Sequence, residues 1–501
     1  MHKYHIASSF FTIILGGWHV MKTTHMYAIL AIAIISIAGV GILFMSNSMQ
    51  NTHIKPLELI GVSSQRTIYL NDLLEMNSTS GTARAETKIN TWAGAGEYTG
   101  VELKDLVEVV GGMQPGDLLQ ITASDNYTGY LAYDNVYPQN DTYEHQGKFI
   151  LAYRYNGTQV PTWESGYRLV CLPVDGSFSN SDYFATTVPE LRRSSASAIW
   201  ICNVVSLKII RSSVLNVTIS NSYLLNEELV RMMPSVTGSG GYLKTTGAIV
   251  GPNNYTGVPV TYLLSRVGFN FEMNFSLRFI ASDGYEMTFN KSQVFGRVMS
   301  YYENGTEAGV KNLTMILAYS ENGESLGDAG PYRVAYVGNE SAITDGHFWV
   351  KMITKIIVEP EFEGWNLQLY GLKNATLDFQ TYLSAATCSH HRTTYELDGH
   401  VYEGIPLWII VSIIDDFNTT SLHNTFNTSL AEKGYTVKVV SENGNYVNLT
   451  SYEIAMNNSI VVAYKVDGQY LSPADWPLKL VGPIGDRIIG QIVSIWLLDW
   501  Q

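Results

Sequence analysis

Cysteine, histidine and arginine fall together in Thr387-Cys388-Ser389-His390-His391-Arg392. A thiolate is a soft ligand suited to a redox metal, and imidazoles add nitrogen donors. On an extended segment, side-chain alternation puts Cys388, His390 and Arg392 on one face and His391 on the other. His400 is a conceivable further member of a metal or cofactor cluster. The spacing matches no recognised zinc pattern, and the plainer reading is a cysteine beside two partly solvated histidines. Cys171 and Cys202 lie in YRLVCLP and AIWICNV. They read as small core residues of apolar strands, and an external compartment would also permit a disulfide between them. Asp125 and Asp415-Asp416 are expected to face solvent or cap turns. Tyr98, Tyr153, Tyr255, Tyr319, Tyr402 and Tyr464 are expected to pack and not to contact a ligand. The sequence has no HExxH, Walker loop, GxSxG elbow or EF-hand loop.

The elements that must position these residues recur. Tyr98-Thr99-Gly100-Val101, Tyr255-Thr256-Gly257-Val258 and Tyr402-Glu403-Gly404-Ile405 are each followed by an apolar stretch read as a helix: VELKDLVEVVG, VPVTYLLSRVG and IPLWIIVSIID. Ser124-Asp125-Asn126-Tyr127, Ser282-Asp283-Gly284-Tyr285 and, more loosely, Ser441-Glu442-Asn443 end the next strand. LAYRYNG, LAYSENG and VAYKVDG then place Ala-Tyr before an Asn-Gly or Asp-Gly turn, a strong hairpin signal. YRLVCLP, YRVAYVG and LKLVGPI lead into apolar runs that read as buried closing strands. Upstream of each Tyr-x-Gly, an alternating strand, a turn and a capped helix open the unit. The period exceeds that of solenoid repeats, so tandem domains are expected.

This order of parts resembles the molybdopterin-binding domain of the sulfite oxidase family. The resemblance is carried by Ser282-Asp283-Gly284-Tyr285, by Leu317-Ala318 with Asn322-Gly323, and by Trp476-Pro477-Leu478-Lys479-Leu480-Val481-Gly482-Pro483. It implies an α+β fold in three tandem copies. It also implies that a catalytic copy would hold molybdenum through one cysteine ahead of the aromatic-x-Gly motif. The first copy has Thr82-Ala83-Arg84-Ala85-Glu86 there and the second Gly238-Ser239-Gly240-Gly241; only the third offers a candidate ligand, Cys388.

The 501 residues carry 31 basic and 45 acidic side chains, a formal net charge of -14 with no basic run, which disfavours nucleic acid as a partner. From Tyr27 to Met45 the chain is uncharged and apolar. At about 1.5 Å per residue that stretch nearly matches a hydrocarbon core of about 30 Å, so a membrane helix is expected, with Met21 as the natural start of the anchor. Sixteen N-x-[ST] sequons, from Asn77 to Asn457, all follow it. They use 16 of 33 asparagines, about three times the chance expectation, and suggest an extracytoplasmic glycoprotein.

The expected organisation is a cytoplasmic segment 1–26, a transmembrane anchor 27–45, a linker 46–56 and sulfite-oxidase-like domains at 57–212, 213–362 and 363–501. The expected function is a membrane-anchored, non-catalytic binding or structural surface protein. Its partners would be the membrane and a small ligand or surface protein, with no cofactor. The alternative is a molybdenum-cofactor-dependent oxidoreductase using Cys388 in the third domain. Fold alone does not decide between them.

Overall fold

The computed structural model describes residues 54–339, 342–361, 364–417 and 425–500. They are mostly β, 44% strand against 19% helix, which overturns the expected α+β class. The reason lies in the stretches after each Tyr-x-Gly. Only Leu103–Glu108, Val260–Arg266 and Leu407–Val411 become helical. Strands of eleven residues, Trp92–Glu102 and Ile249–Pro259, take up the residues before the first two. Gly111, Gly112 and Gly268, all at positive φ, end those two helices. The longest described α-helix, Phe379–Thr387, has nine residues, and no described helix is long and apolar enough to cross a membrane. The expected span Tyr27–Met45 lies outside the described residues, as does the expected boundary between residues 362 and 363.

Contacts divide the chain into two units. One holds residues 54–113 and 119–210, the other 114–118 and the described residues from Arg211 onward. The first unit contains one five-stranded sheet, and the second contains two more with the same strand order. In each, an opening strand (Leu57–Ile60, Val214–Thr218, Asn366–Tyr370) forms a hairpin with the strand that follows it. That second strand goes beyond the sequence reading, which has a turn leading directly to the helix. The opening strand lies parallel to the closing strand (Val204–Ile210, Ile353–Pro360, Ile492–Leu498), which therefore sits at the centre of its sheet. The opening strands alternate buried with less buried residues, so one face of each sheet supplies core.

A second sheet in each repetition is built on the Tyr-x-Gly strand. It pairs on one side with the strand before it and on the other with the Ala-Tyr strand. The Ala-Tyr strand also pairs with Arg168–Leu172, Arg333–Val337 or Lys479–Val481. The glycine of the motif has a definite cause. At the residue pairs Thr99/Gly100, Thr256/Gly257 and Glu403/Gly404 the register shifts. There a Cβ would meet the carbonyl oxygen of Leu151, Leu317 or Val462 at 2.2, 2.2 and 2.1 Å. No side chain fits at that separation. The middle repetition alone adds a hairpin, Arg297–Tyr301 with Glu307–Asn312, which widens its second sheet to eight strands.

Candidate functional site

The Tyr-x-Gly strand brings its tyrosine beside the basic residue of the Arg/Lys-x-x strand two places away. In the first unit Tyr98 is fully buried and donates its hydroxyl proton to the carbonyl oxygen of Gly94 at 2.6 Å. Burial pushes its hydroxyl up to about 12, against the opposing effect of Arg168. Its ring packs edge-on to Trp200 at 5.5 Å and against Tyr155 at 4.8 Å. The Arg168 guanidinium stands 5.8 Å from the Trp200 ring centre, a cation–π contact. Gly94 is at φ +65, and a Cβ there would meet Tyr98 Oη at 2.9 Å and Trp200 at 3.0 Å, so the space ahead of the motif is filled by the indole.

In the second unit the same positions carry Tyr255, Arg333 and Trp349. The Arg333 guanidinium lies 5.5, 5.6 and 5.2 Å from the rings of Tyr242, Tyr255 and Trp349, inside an aromatic box. Tyr255 donates to Glu321 Oε1 at 2.9 Å, and the Asn253 amide donates to the same oxygen at 2.6 Å. Burial and that carboxylate raise the tyrosine hydroxyl well above its usual range, although Arg333 pulls the other way. Trp349 Nε1 donates to Thr344 Oγ1 at 2.8 Å, and a Cβ on Gly240 would meet the indole at 3.0 Å. The last repetition substitutes Lys479, 5.3 Å from the Tyr402 ring and paired with Asp475 at 3.0 Å. No tryptophan stands at the corresponding place four residues before the closing strand, where the chain reads Arg487-Ile488-Ile489-Gly490. The tryptophans are the members that sequence reasoning missed, because each lies within an apolar run that already reads as core. Their signal is the shared position four residues before a closing strand.

Cys388 does not occupy an extended segment. It is the C-cap of the Phe379–Thr387 helix, and the N–H groups of His391 and Arg392 both donate back to its carbonyl oxygen. That turn replaces the expected alternation. Cys388 Sγ lies 3.5 Å from His390 Nδ1, while His400 pairs with Asp467 at 2.6 Å at the tip of another hairpin. Among the described residues no group of three His, Cys, Asp or Glu side chains could hold a metal ion. His390 and Arg392 are exposed on a turn. These residues therefore do not fit a buried molybdenum–pterin group, which needs an enclosed thiolate and converging phosphate donors. Cys171 is fully buried, its thiol pushed up by burial, and it is not joined to Cys202. Asp125 takes the expected turn role, accepting from Tyr127 N at 2.9 Å. Asp415 does not face solvent; it is fully buried.

No family model and no curated protein matches the chain. Among solved structures, the sulfane dehydrogenase SoxCD from Paracoccus pantotrophus is a weak neighbour, with 12% identity and a TM-score of 0.23 over 57% of this chain and 78% of that one. A tetra-tandem repeat in the extending region of a large adhesion protein aligns at 8% identity and a TM-score of 0.08, over 87% of this chain and 77% of that one.

Proposed function

We propose that the chain is a non-catalytic binding or structural protein displayed outside the cytoplasm, with three molybdopterin-binding-like modules that take no redox cofactor. The observation that carries the proposal is the aromatic and cationic packing beside the Tyr-x-Gly strand. Where the family resemblance calls for an open cofactor cradle in the first two repetitions, Trp200 and Trp349 fill the space and Arg168 and Arg333 stack on them; for the last repetition, which lacks the tryptophan, the support is the turn that carries Cys388 with His390 and Arg392 exposed beside it. The proposed external location is supported by the sequons. Of the 15 sequon asparagines among the described residues none is buried, and 12 are exposed: Asn77, Asn126, Asn140, Asn156, Asn254, Asn274, Asn290, Asn304, Asn312, Asn339, Asn374 and Asn448. A glycan must project into solvent, so this is the distribution the proposal requires. Metal and pterin analysis of the purified full chain, with protease treatment of intact cells, tests both halves. We expect no stoichiometric molybdenum and digestion without lysis. Stoichiometric molybdenum overturns the non-catalytic half, and complete protection from protease overturns the external one.

A further inference from the structure

We infer that a sugar chain on Asn374 lies against the solvent-facing side of the last repetition's five-stranded sheet, its linking sugar stacked on the ring of Tyr370. The inference rests on the extracytoplasmic reading above. One cross-strand row carries it. The register pairs Asn374 with Tyr370, Tyr370 with Trp496, Trp496 with Lys438 and Lys438 with Asn448, so the row crosses all five strands. Residues directly opposite one another in register point to the same face of a sheet. A sequon asparagine therefore stands at each end of the row, on the two edge strands, about 19 Å apart at a strand spacing of about 4.8 Å. Both asparagines are exposed, and Trp496 between them is 37% exposed.

The two ends of the row differ in what they offer a sugar. The Tyr370 ring stacks on the Trp496 indole, with centroids 3.9 Å and planes 24° apart. The indole is held in turn, its Nε1 donating to Ser494 Oγ at 2.9 Å. With one face of Tyr370 set on Trp496, the other turns toward Asn374, and the Cβ atoms of such register partners lie about 5 Å apart. A sugar joined to Asn374 Nδ2 starts within reach of that ring, and laying its C–H side there removes apolar surface of both from water. At the far end, Lys438 Nζ sits 4.0 Å from the centre of the Tyr446 ring, so the aromatic face near Asn448 already holds a cation. The equivalent row of the middle repetition runs Ser222, Thr218, Ile357, Arg278, Thr288 and contains no sequon asparagine. Protein closes over that row: Thr288 is 5% exposed, and Lys465 reaches Glu286, the ion-pair partner of Arg278, at 3.6 Å. Of these two rows, the sequons frame the one left open to solvent.

Hydroxyl-radical footprinting of the full chain purified from its native host, read by peptide mass spectrometry, tests it, with sequon occupancy measured on the same sample. Asn374 is expected to be occupied. Oxidation of Tyr370 and Trp496 should rise roughly threefold or more in Asn374→Gln, and equally in Thr376→Ala, which keeps the asparagine and abolishes its sequon. Thr376→Ser, which preserves the sequon, and Asn448→Gln should leave both rings protected. Equal oxidation with and without the sugar at Asn374 overturns the inference, as does the same rise in Asn448→Gln. An empty Asn374 in a chain occupied at Asn126 overturns it alone. A chain bare at every sequon overturns it together with the glycoprotein expectation, while protease treatment of intact cells decides the external location separately.

Discussion

Gly100, Gly257 and Gly404 show how a short motif can encode a single steric fact. A methyl at Gly257 would lie 2.2 Å from the Leu317 carbonyl oxygen, so Gly257→Ala must push its strand away from the Ala-Tyr strand. We expect a loss of about 3 kcal/mol, measured by urea denaturation. Cys388 is the opposite case, capping a helix end with one sulfur contact. Cys388→Ser should alter neither metal content nor stability beyond about 0.5 kcal/mol, read by metal analysis and thermal melting. Asp415 supplies a pH signature. Burial holds its carboxyl up at about 6, even though Asn427 N–H donates to Oδ2 at 2.9 Å. The folded chain then binds this proton more tightly than the unfolded chain, whose aspartate titrates near 3.9. The stability it brings is complete below about pH 4 and is lost as pH rises through about 6. Asp415→Asn should flatten that slope and raise stability at pH 7 by about 2 kcal/mol, visible in melting curves taken from pH 4 to 7. The Tyr-x-Gly motif is legible in sequence because backbone approach demands glycine. Asp415 is not, because an acidic pair reads as solvent-facing until Asn427, twelve residues on at the start of the Thr428–Lys433 helix, is known to donate to it.

At the level of elements, the opening hairpins teach a similar lesson. Ser222–Asn226 and Asn374–Asp378 carry too few buried positions to announce a strand. Only pairing with Val214–Thr218 and Asn366–Tyr370 makes them one. The short helices are over-read for the converse reason: apolar composition persists through Gly111 and Gly268, where the helix has already stopped. Packing of elements within the second unit is fixed by charge. Arg278 donates to Glu286 Oε2 at 3.0 Å and to Glu359, and Lys465 reaches Glu286 at 3.6 Å. Burial works against the Arg278 charge, but Glu359 and Glu286 outweigh it and strengthen the hold on its proton. Tyr285 Oη donating to Ser384 Oγ at 2.9 Å, and Glu286 N to Thr387 Oγ1 at 3.0 Å, join the same two sheet systems. Arg278→Met leaves two partly buried carboxylates without their shared cation. We expect a cost of about 3 kcal/mol and loss of cooperativity between the middle and last repetitions, detected by hydrogen exchange.

For the whole molecule, the proposed glycans make a position-specific prediction. Asn427 and Asn457 already donate their side-chain amides to the carbonyl oxygens of Asp415 and Glu453, at 3.1 and 3.0 Å. Glycopeptide mass spectrometry of the native protein should find these two sequons empty and exposed ones such as Asn126 and Asn374 occupied. The threefold strand order is the aspect of the architecture closest to the sequence pattern, because each motif marks a turn or a close approach. The balance of strand to helix is not, since it depends on where apolar runs are interrupted. The hairpin added to the middle repetition has a bearing on solubility. Glu307–Asn312 is the last strand of the eight-stranded sheet, and its outer backbone N–H and C=O groups form a template on which a strand from another molecule could grow. Asn304 in its turn and Asn312 at its end both begin sequons and both are exposed. Sugar chains there would stand as bollards along an open quay, keeping neighbouring molecules from mooring edge to edge.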